Sequence, residues 1–390
     1  MPVLKETAVL PSVERLLLGP GPSAVSARVM RALATPVLGH LDPQLLDTMD
    51  RLRGQMARVF KAPAGSLALA VSGTGTAAME TVVANLVAPG TRVVSVVNGY
   101  FGERLAQIAE RQGGTVARVT GEWGRAIDPA SVTAALAAQP PRVVTIVHAE
   151  TSTGVLNPVA EIARAARAVD ALLVVETVTS LGGMPVDVGA WDADACYSAG
   201  QKCLGAPSGL APVVFGPRAL ERRVPCRSFY LDLDLLEQFW IGRKYHHTIA
   251  ATMVYALTEA LAEVEEEGLD ARWARHRRHH AALTAGLEAL GLPLVVPAAD
   301  RLWTLHTPRV PDGVDEASGR RDLREQSSIE IGAGLGPLAG RVWRIGLMGA
   351  SSTPGAVVQV LAAFEALLTR AGHAVQSGAG VGAALAALRS

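Results

Sequence analysis

The chain has 390 residues with 36 basic against 36 acidic, so its formal charge is zero and no field of one sign recruits nucleic acid or an anionic membrane. Apolar residues make up 49%, charged ones 18%, and there are 39 glycines and 23 prolines, which excludes a disordered or fibrous chain and leaves a globular α/β protein. Cys196, Cys203 and Cys226 are too few for a disulfide framework, and no apolar run reaches about eighteen residues without charges or breakers, so a cytoplasmic protein is expected.

In chain order, an N-terminal arm (1–22) precedes Asp42-Pro43, an N-cap followed by proline at the first helical position. Leu45, Met49, Leu52, Met56 and Val59 then recur at helical spacing. Apolar, mostly β-branched runs follow at Arg92 to Val97, Val143 to Val147, Leu172 to Val175 and Pro212 to Phe215, with helical stretches such as Pro158 to Val169 between them. Continuous apolar strands alternating with helices predict a mainly parallel sheet covered on both faces. Residues 23–250 therefore read as one large domain. From 251 to 372 the pattern becomes that of a smaller α+β domain: a helix through Met253, Leu257, Leu261 and Val264 ends at Gly268, a second runs from Asp270 to Leu290, and a third starts at Thr353-Pro354. The Ala/Gly-rich tail, 373–390, is weakly specified.

Three segments carry residues suited to chemistry. Ser72-Gly73-Thr74-Gly75-Thr76 opens a helix, and small residues at a helix N-terminus expose N–H groups to a phosphate. Glu176 sits at the C-terminal end of a buried strand, where open α/β sheets bind ligands, and suits a cationic ring nitrogen. Lys202 is one of only four lysines (with Lys5, Lys61 and Lys244) and lies among small and apolar neighbours from Tyr197 to Pro207, surroundings that disfavour the ammonium and leave a nucleophilic amine. Glu176 and Lys202 are separated by room for a loop and one further strand, so they can emerge side by side. A phosphate cradle, a ring-nitrogen partner and an amine are what pyridoxal 5'-phosphate requires.

These blocks, with Leu16 to Pro22, Gly39-His40-Leu41-Asp42-Pro43, His148 to Val155, Thr177 to Gly183, Tyr245-His246-His247-Thr248 and Arg344-Ile345-Gly346-Leu347, make the sequence similar to the class V, fold-type I aminotransferases. Within them it most resembles the alanine–glyoxylate and serine–pyruvate (serine–glyoxylate) family. The resemblance implies a large domain with a mainly parallel mixed seven-stranded sheet between helices, plus a smaller C-terminal α+β domain. It implies that Lys202 forms the internal aldimine and then moves the substrate proton. It places Thr74, Gly75, Thr76 and Gln201 on the phosphate, Phe101 on the pyridine ring, Thr151 on the ring-oxygen side, Arg344 on the substrate carboxylate and Gly21 beside the substrate. Tyr245 and Thr248 would reach the cofactor of a neighbouring copy, which implies a homodimer. One departure stands out, because the family has aspartate where this chain has Glu176.

The implied reaction moves an amino group from alanine or serine to glyoxylate or pyruvate through pyridoxamine phosphate. Ureidoglycine is the alternative donor, and a catalytically impaired relative is a third reading because of Glu176. A cysteine desulfurase would need a cysteine in the later part of the chain, and none follows Cys226. His276 and His280 have chelating spacing, but their run is expected to form a solvated helix face with no metal. Cys203 is expected to be buried packing.

Overall fold

The computed structural model describes residues 14–389; the first thirteen residues of the expected arm lie outside it. A central sheet is built from β1 (Leu67–Gly73), β2 (Arg92–Val97), β3 (Thr115–Thr120), β4 (Val143–Val147), β5 (Leu172–Glu176), β6 (Ala195–Tyr197) and β7 (Gly209–Phe215). Their spatial order is β1-β7-β6-β5-β4-β2-β3, seven strands as the resemblance implies. All neighbours are parallel except β7, which runs antiparallel to both β1 and β6. β4 and β5 are buried along their whole length, as expected of strands covered on both faces. β1 and β3 were not anticipated from pattern: β1 is alanine-rich, and β3 lies at the sheet edge with Thr115, Ala117 and Thr120 exposed.

The helix expected after Asp42 spans Pro43–Val59, with Asp42 accepting from the Gln44 amide and the five apolar residues buried as predicted. The sheet and this helix share one hydrophobic core, which continues through the helix Ala251–Glu267 by way of Val254, Leu257, Leu261 and Val264. That core reaches Val264, and Leu269 packs against its edge. Gly268 (φ +78°) is the hinge residue between that helix and Leu269–Ala289, a conformation glycine adopts without the Cβ penalty.

A second core gathers Leu283, Leu287, Trp343, Ile345, Val357, Leu361 and Phe364. It lies between helices Leu269–Ala289 and Pro354–Arg370 and a three-stranded antiparallel sheet of Leu305–His306, Trp343–Gly346 and Gly332–Ala333. The tail is more specified than its composition indicates. Ala379–Arg389 is a helix whose small residues permit close contact, with Gly380 and Ala384 buried against Leu269–Ala289. The described end of the arm is also anchored: Leu16–Leu17 pairs in parallel with Ile329–Glu330, and Leu18 joins the second core. Among the described residues no helix is long and apolar enough to cross a membrane.

Candidate active site

Because β1, β2, β4, β5 and β6 point the same way, their C-terminal ends open on one edge of the sheet. These strand ends and the turns and helix starts that follow them carry Thr74 to Thr76, Phe101, Thr151, Glu176 and Lys202, and these residues line one cavity of about 170 Å³ together with Gln201, Met79, Val178 and Arg104. Eight of the residues expected to contact the cofactor are thus brought together around a single space.

Lys202 is nearly enclosed, and burial lowers its amine to about 8 against the opposing pull of the Glu176 carboxylate. Its Nζ donates to the Pro20 carbonyl, while Ser23 Oγ donates to its own carbonyl at 2.7 Å. Gly21 (φ +105°) passes so close that a Cβ there would overlap the Lys202 side chain, with Cδ at 2.6 Å. That position admits only glycine, which puts the expected substrate-flanking loop directly against the amine.

Glu176 is buried, and its Oε2 accepts from the Val178 amide at 3.1 Å. Burial, and next the nearby Glu150 carboxylate, raises its pKa to about 8. Glu150 belongs to a motif read from sequence but was given no role there. It accepts from the amides of Gly102 (3.1 Å) and Phe101 (3.4 Å) and from Ser152 Oγ (2.6 Å). A buried carboxylate therefore stands at the N-terminus of the helix Tyr100–Arg111, whose dipole favours it, and fixes the helix that presents Phe101.

Arg344, on the strand Trp343–Gly346, is also buried. Its Nε donates to Ala333 O (2.6 Å) and its Nη1 to Thr151 O (3.1 Å), which leaves Nη2 without a partner among the described residues. Burial lowers its pKa to about 10 against the field of Glu150, so the guanidinium stays charged at neutral pH. Tyr245 and Thr248 do not line the cavity. Both are exposed, Tyr245 against the His40 ring, while His247 next to them bonds Ser72 Oγ at 2.8 Å.

The residues present fit pyridoxal phosphate. The helix Gly75–Leu86 begins at Thr74 with no side-chain cap, so its first amides are open to an anion. These open amides suit a phosphate, and Gln201 stands on the same cavity wall.

The comparisons with known proteins place this site in a family. A model of the aminotransferase class V family matches residues 24–337. The chain belongs to the class V aminotransferases. It is 37% identical to the alanine–glyoxylate aminotransferase of Drosophila melanogaster, over 92% of this chain and 93% of that one. The crystal structure of ureidoglycine–glyoxylate aminotransferase from Bacillus subtilis superposes with a TM-score of 0.95 at 38% identity, covering 98% of this chain and 100% of that one. An alanine–glyoxylate aminotransferase from Nostoc sp. gives 0.91 at 41% identity, over 94% and 100%. The fold is thus the fold-type I aminotransferase fold, the enzyme is an aminotransferase, and its cofactor is pyridoxal phosphate.

In this class V aminotransferase the His-rich helix has the expected solvated face only in part, with Arg277 and Arg278 exposed. His276 and His279 are buried, with His276 bonded to Arg272 O (2.8 Å) and to the Gly349 amide (3.2 Å). His280 turns instead to His306 at 2.8 Å, so the chelating spacing is spent on two different neighbours. Cys203 is fully buried, as expected.

The same helix braces the lysine turn. Glu267 accepts from Arg272 Nη1 (2.6 Å) and Arg275 Nε (2.5 Å), while Arg272 Nη2 donates to Cys203 O (2.7 Å) and Arg275 Nη1 to Ser352 O (2.7 Å). Burial alone would raise the Glu267 carboxyl, but the bonds from Arg275 and the fields of both arginines hold it at about 2. Glu267→Gln leaves the buried Arg272 charge without its counter-ion, so a loss of about 3 kcal/mol is expected. Denaturant melts at neutral pH check this. Because the carboxyl pKa is depressed, the contribution is present above about 4.5 and fades as pH falls towards 2, so variant and wild type should converge in acid.

Proposed function

We propose that this aminotransferase moves the amino group of a small donor, alanine or serine, to glyoxylate or pyruvate, with Lys202 as the residue that carries the cofactor. The observation that carries this reading is the convergence on one cavity of a buried amine lowered to about 8, a buried carboxylate and an uncapped helix terminus. Bound pyridoxal phosphate supplies a carbonyl for amine exchange and a ring that withdraws electrons from the substrate Cα. Thr74, Gly75, Thr76 and Gln201 would hold its phosphate, Phe101 would cover its ring and Thr151 would stand on the ring-oxygen side. Glu176 would keep the ring nitrogen protonated. Lys202 Nζ, with its ammonium disfavoured by burial, takes and returns the proton at the substrate Cα. Gly21 leaves it room to do so.

Arg344 offers its Nη2 side to the substrate carboxylate, a planar pairing that lysine cannot reproduce. Arg344→Gln should raise the KM of donor and acceptor alike by about 10- to 100-fold, with Arg344→Lys recovering only part of the loss. Steady-state kinetics with alanine and glyoxylate test this, and a fall in kcat with both KM values unchanged would rule out a carboxylate-binding role.

Tyr245 and Thr248 face outward on a surface where Phe229, Tyr230 and Ile241 are also exposed. This supports a homodimer in which they reach the phosphate of the neighbouring copy. A second donor is supported by the full-length superposition on the ureidoglycine–glyoxylate enzyme of Bacillus subtilis. Parallel assays with L-alanine, L-serine and ureidoglycine, each with glyoxylate as acceptor, rank the three. Failure of all of them to donate would overturn the reading.

A further inference from the structure

The cavity contains a cation that neither the sequence motifs nor the roles above use. Arg104 lies one turn beyond Phe101 on the helix Tyr100–Arg111 and lines the same space as Thr76, Glu176 and Lys202. Its Nη1 donates to Thr76 Oγ1 at 3.3 Å. Its guanidinium carbon stands 5.1 Å from the centre of the Phe101 ring and 5.0 Å from that of Tyr100. It makes no ion pair with any carboxylate among the described residues, although this chain pairs most of its partly buried arginines.

A cation set against two neighbouring aromatic rings and a threonine hydroxyl is oriented before any ligand arrives. It sits at the threonine end of the cavity, where the helix Gly75–Leu86 begins, whereas Arg344 is tied to the Thr151 carbonyl. The charge balance calls for such a group. A helix terminus presents about half an elementary charge, while a phosphate monoester carries roughly two at neutral pH. Thr74, Gly75, Thr76 and Gln201 add no full charge, so the cradle alone leaves most of the phosphate unbalanced in a largely enclosed space.

We propose that Arg104 is the charged ligand of the cofactor phosphate, and that the same guanidinium pins the Phe101 ring in the orientation needed to cover the pyridine. The two tasks are linked by geometry, since the contact with the ring and the N–H groups offered to the phosphate belong to one rigid group. This rests on the cofactor placement given above.

The test compares pyridoxal phosphate with pyridoxal, which has the same ring and aldehyde but no phosphate. Equilibrium affinity of both for apoenzyme is measured by absorption and by quenching of intrinsic fluorescence, in wild type, Arg104→Gln and Arg104→Lys. Arg104→Gln should weaken pyridoxal phosphate by about 10- to 100-fold, the range of a lost charge-assisted hydrogen bond, and pyridoxal by no more than about threefold. Arg104→Lys keeps the charge without the fork and should recover part of the phosphate-dependent loss. Equal weakening of both ligands in Arg104→Gln would reduce Arg104 to a brace for Phe101, and no weakening of either would remove it from the site; each result overturns the proposal. Arg104→Lys guards against misfolding of the glutamine variant, since full loss of the phosphate preference in a folded lysine variant also contradicts a charge role. If wild type captured neither ligand at Lys202, the cofactor placement itself would fail first, which a borohydride-trapping control reads separately.

Discussion

Lys202→Ala is expected to lower transamination by at least about 10⁴-fold, because one substitution removes both the covalent attachment and the proton carrier. Lys61→Ala, which breaks a partly exposed ion pair with Asp187 at 2.9 Å and a contact with the Trp273 ring, both away from the cavity, should leave turnover unchanged. Borohydride trapping followed by mass analysis separates attachment from proton transfer: wild type gains the mass of the reduced cofactor at Lys202, and the alanine variant gains none. A trapped adduct in Lys202→Ala would mean that another amine carries the cofactor. The environment also sets a pH dependence. Burial lowers the amine to about 8, so capture of cofactor by apoenzyme should accelerate with pH through about 8 and level off above it, well before an ordinary lysine would deprotonate. A rate still climbing steeply near pH 10 would show that the amine is not depressed.

Glu176→Gln is expected to have the second largest effect, with opposite consequences for activity and for stability. Without a carboxylate the ring nitrogen loses its counter-charge, and turnover should fall about 100- to 1000-fold, the cost of removing one preorganised electrostatic group. Apoenzyme stability moves the other way. Burial, then the Glu150 carboxylate, raises the Glu176 pKa to about 8 from 4.5. A group whose pKa is raised on folding stabilises the native state fully below its unfolded pKa, and that contribution is lost as pH rises through the folded value. Wild-type apoenzyme should therefore lose up to about 4 kcal/mol between roughly pH 4.5 and 8, a loss that glutamine does not share. Melts of the two apoenzymes should coincide at pH 5 and separate at pH 9, with the variant more stable. Equal stability at both pH values would mean that the carboxylate is not held in an unfavourable field. Glu176→Asp removes one methylene and gives the residue that the sequence resemblance leads one to expect here, so turnover should rise. No gain, with unchanged cofactor absorption, would show that the longer side chain reaches the ring at no cost.

Much of this site was legible in the sequence because its residues sit in short blocks where composition and position agree. Lys202 was marked by the scarcity of lysine and by its apolar neighbours, Glu176 by its place at a buried strand end, and Thr74 to Thr76 by small residues opening a helix. The structure brings all of them to one sheet edge. Arg104 was missed because an arginine on an amphipathic helix reads as surface, and only its spacing of three from Phe101 hinted at a shared face. Glu150 was missed because a carboxylate gives no sign of which distant amides it caps; Gly102 lies 48 residues away.

The fold followed the same rule. Strands with unbroken valine and isoleucine were read correctly, while alanine-rich β1 and the edge strand β3 were not. The helical run from Arg275 to His280 is the expected solvated face only in part, with Arg277 and Arg278 exposed. Arg275 is drawn instead to Glu267 and to the carbonyls of Gly349 and Ser352, contacts that no local pattern encodes.

The central claim, an aminotransferase that exchanges amino groups through Lys202-bound pyridoxal phosphate, is tested most directly by the absorption spectrum of the purified holoenzyme during its half-reactions. Addition of L-alanine, L-serine or ureidoglycine, one at a time, should convert the bound-aldehyde band to that of pyridoxamine phosphate for the true donor, and glyoxylate should then restore it. A spectrum that stays fixed with every donor, in protein that holds the cofactor at Lys202, would contradict the account.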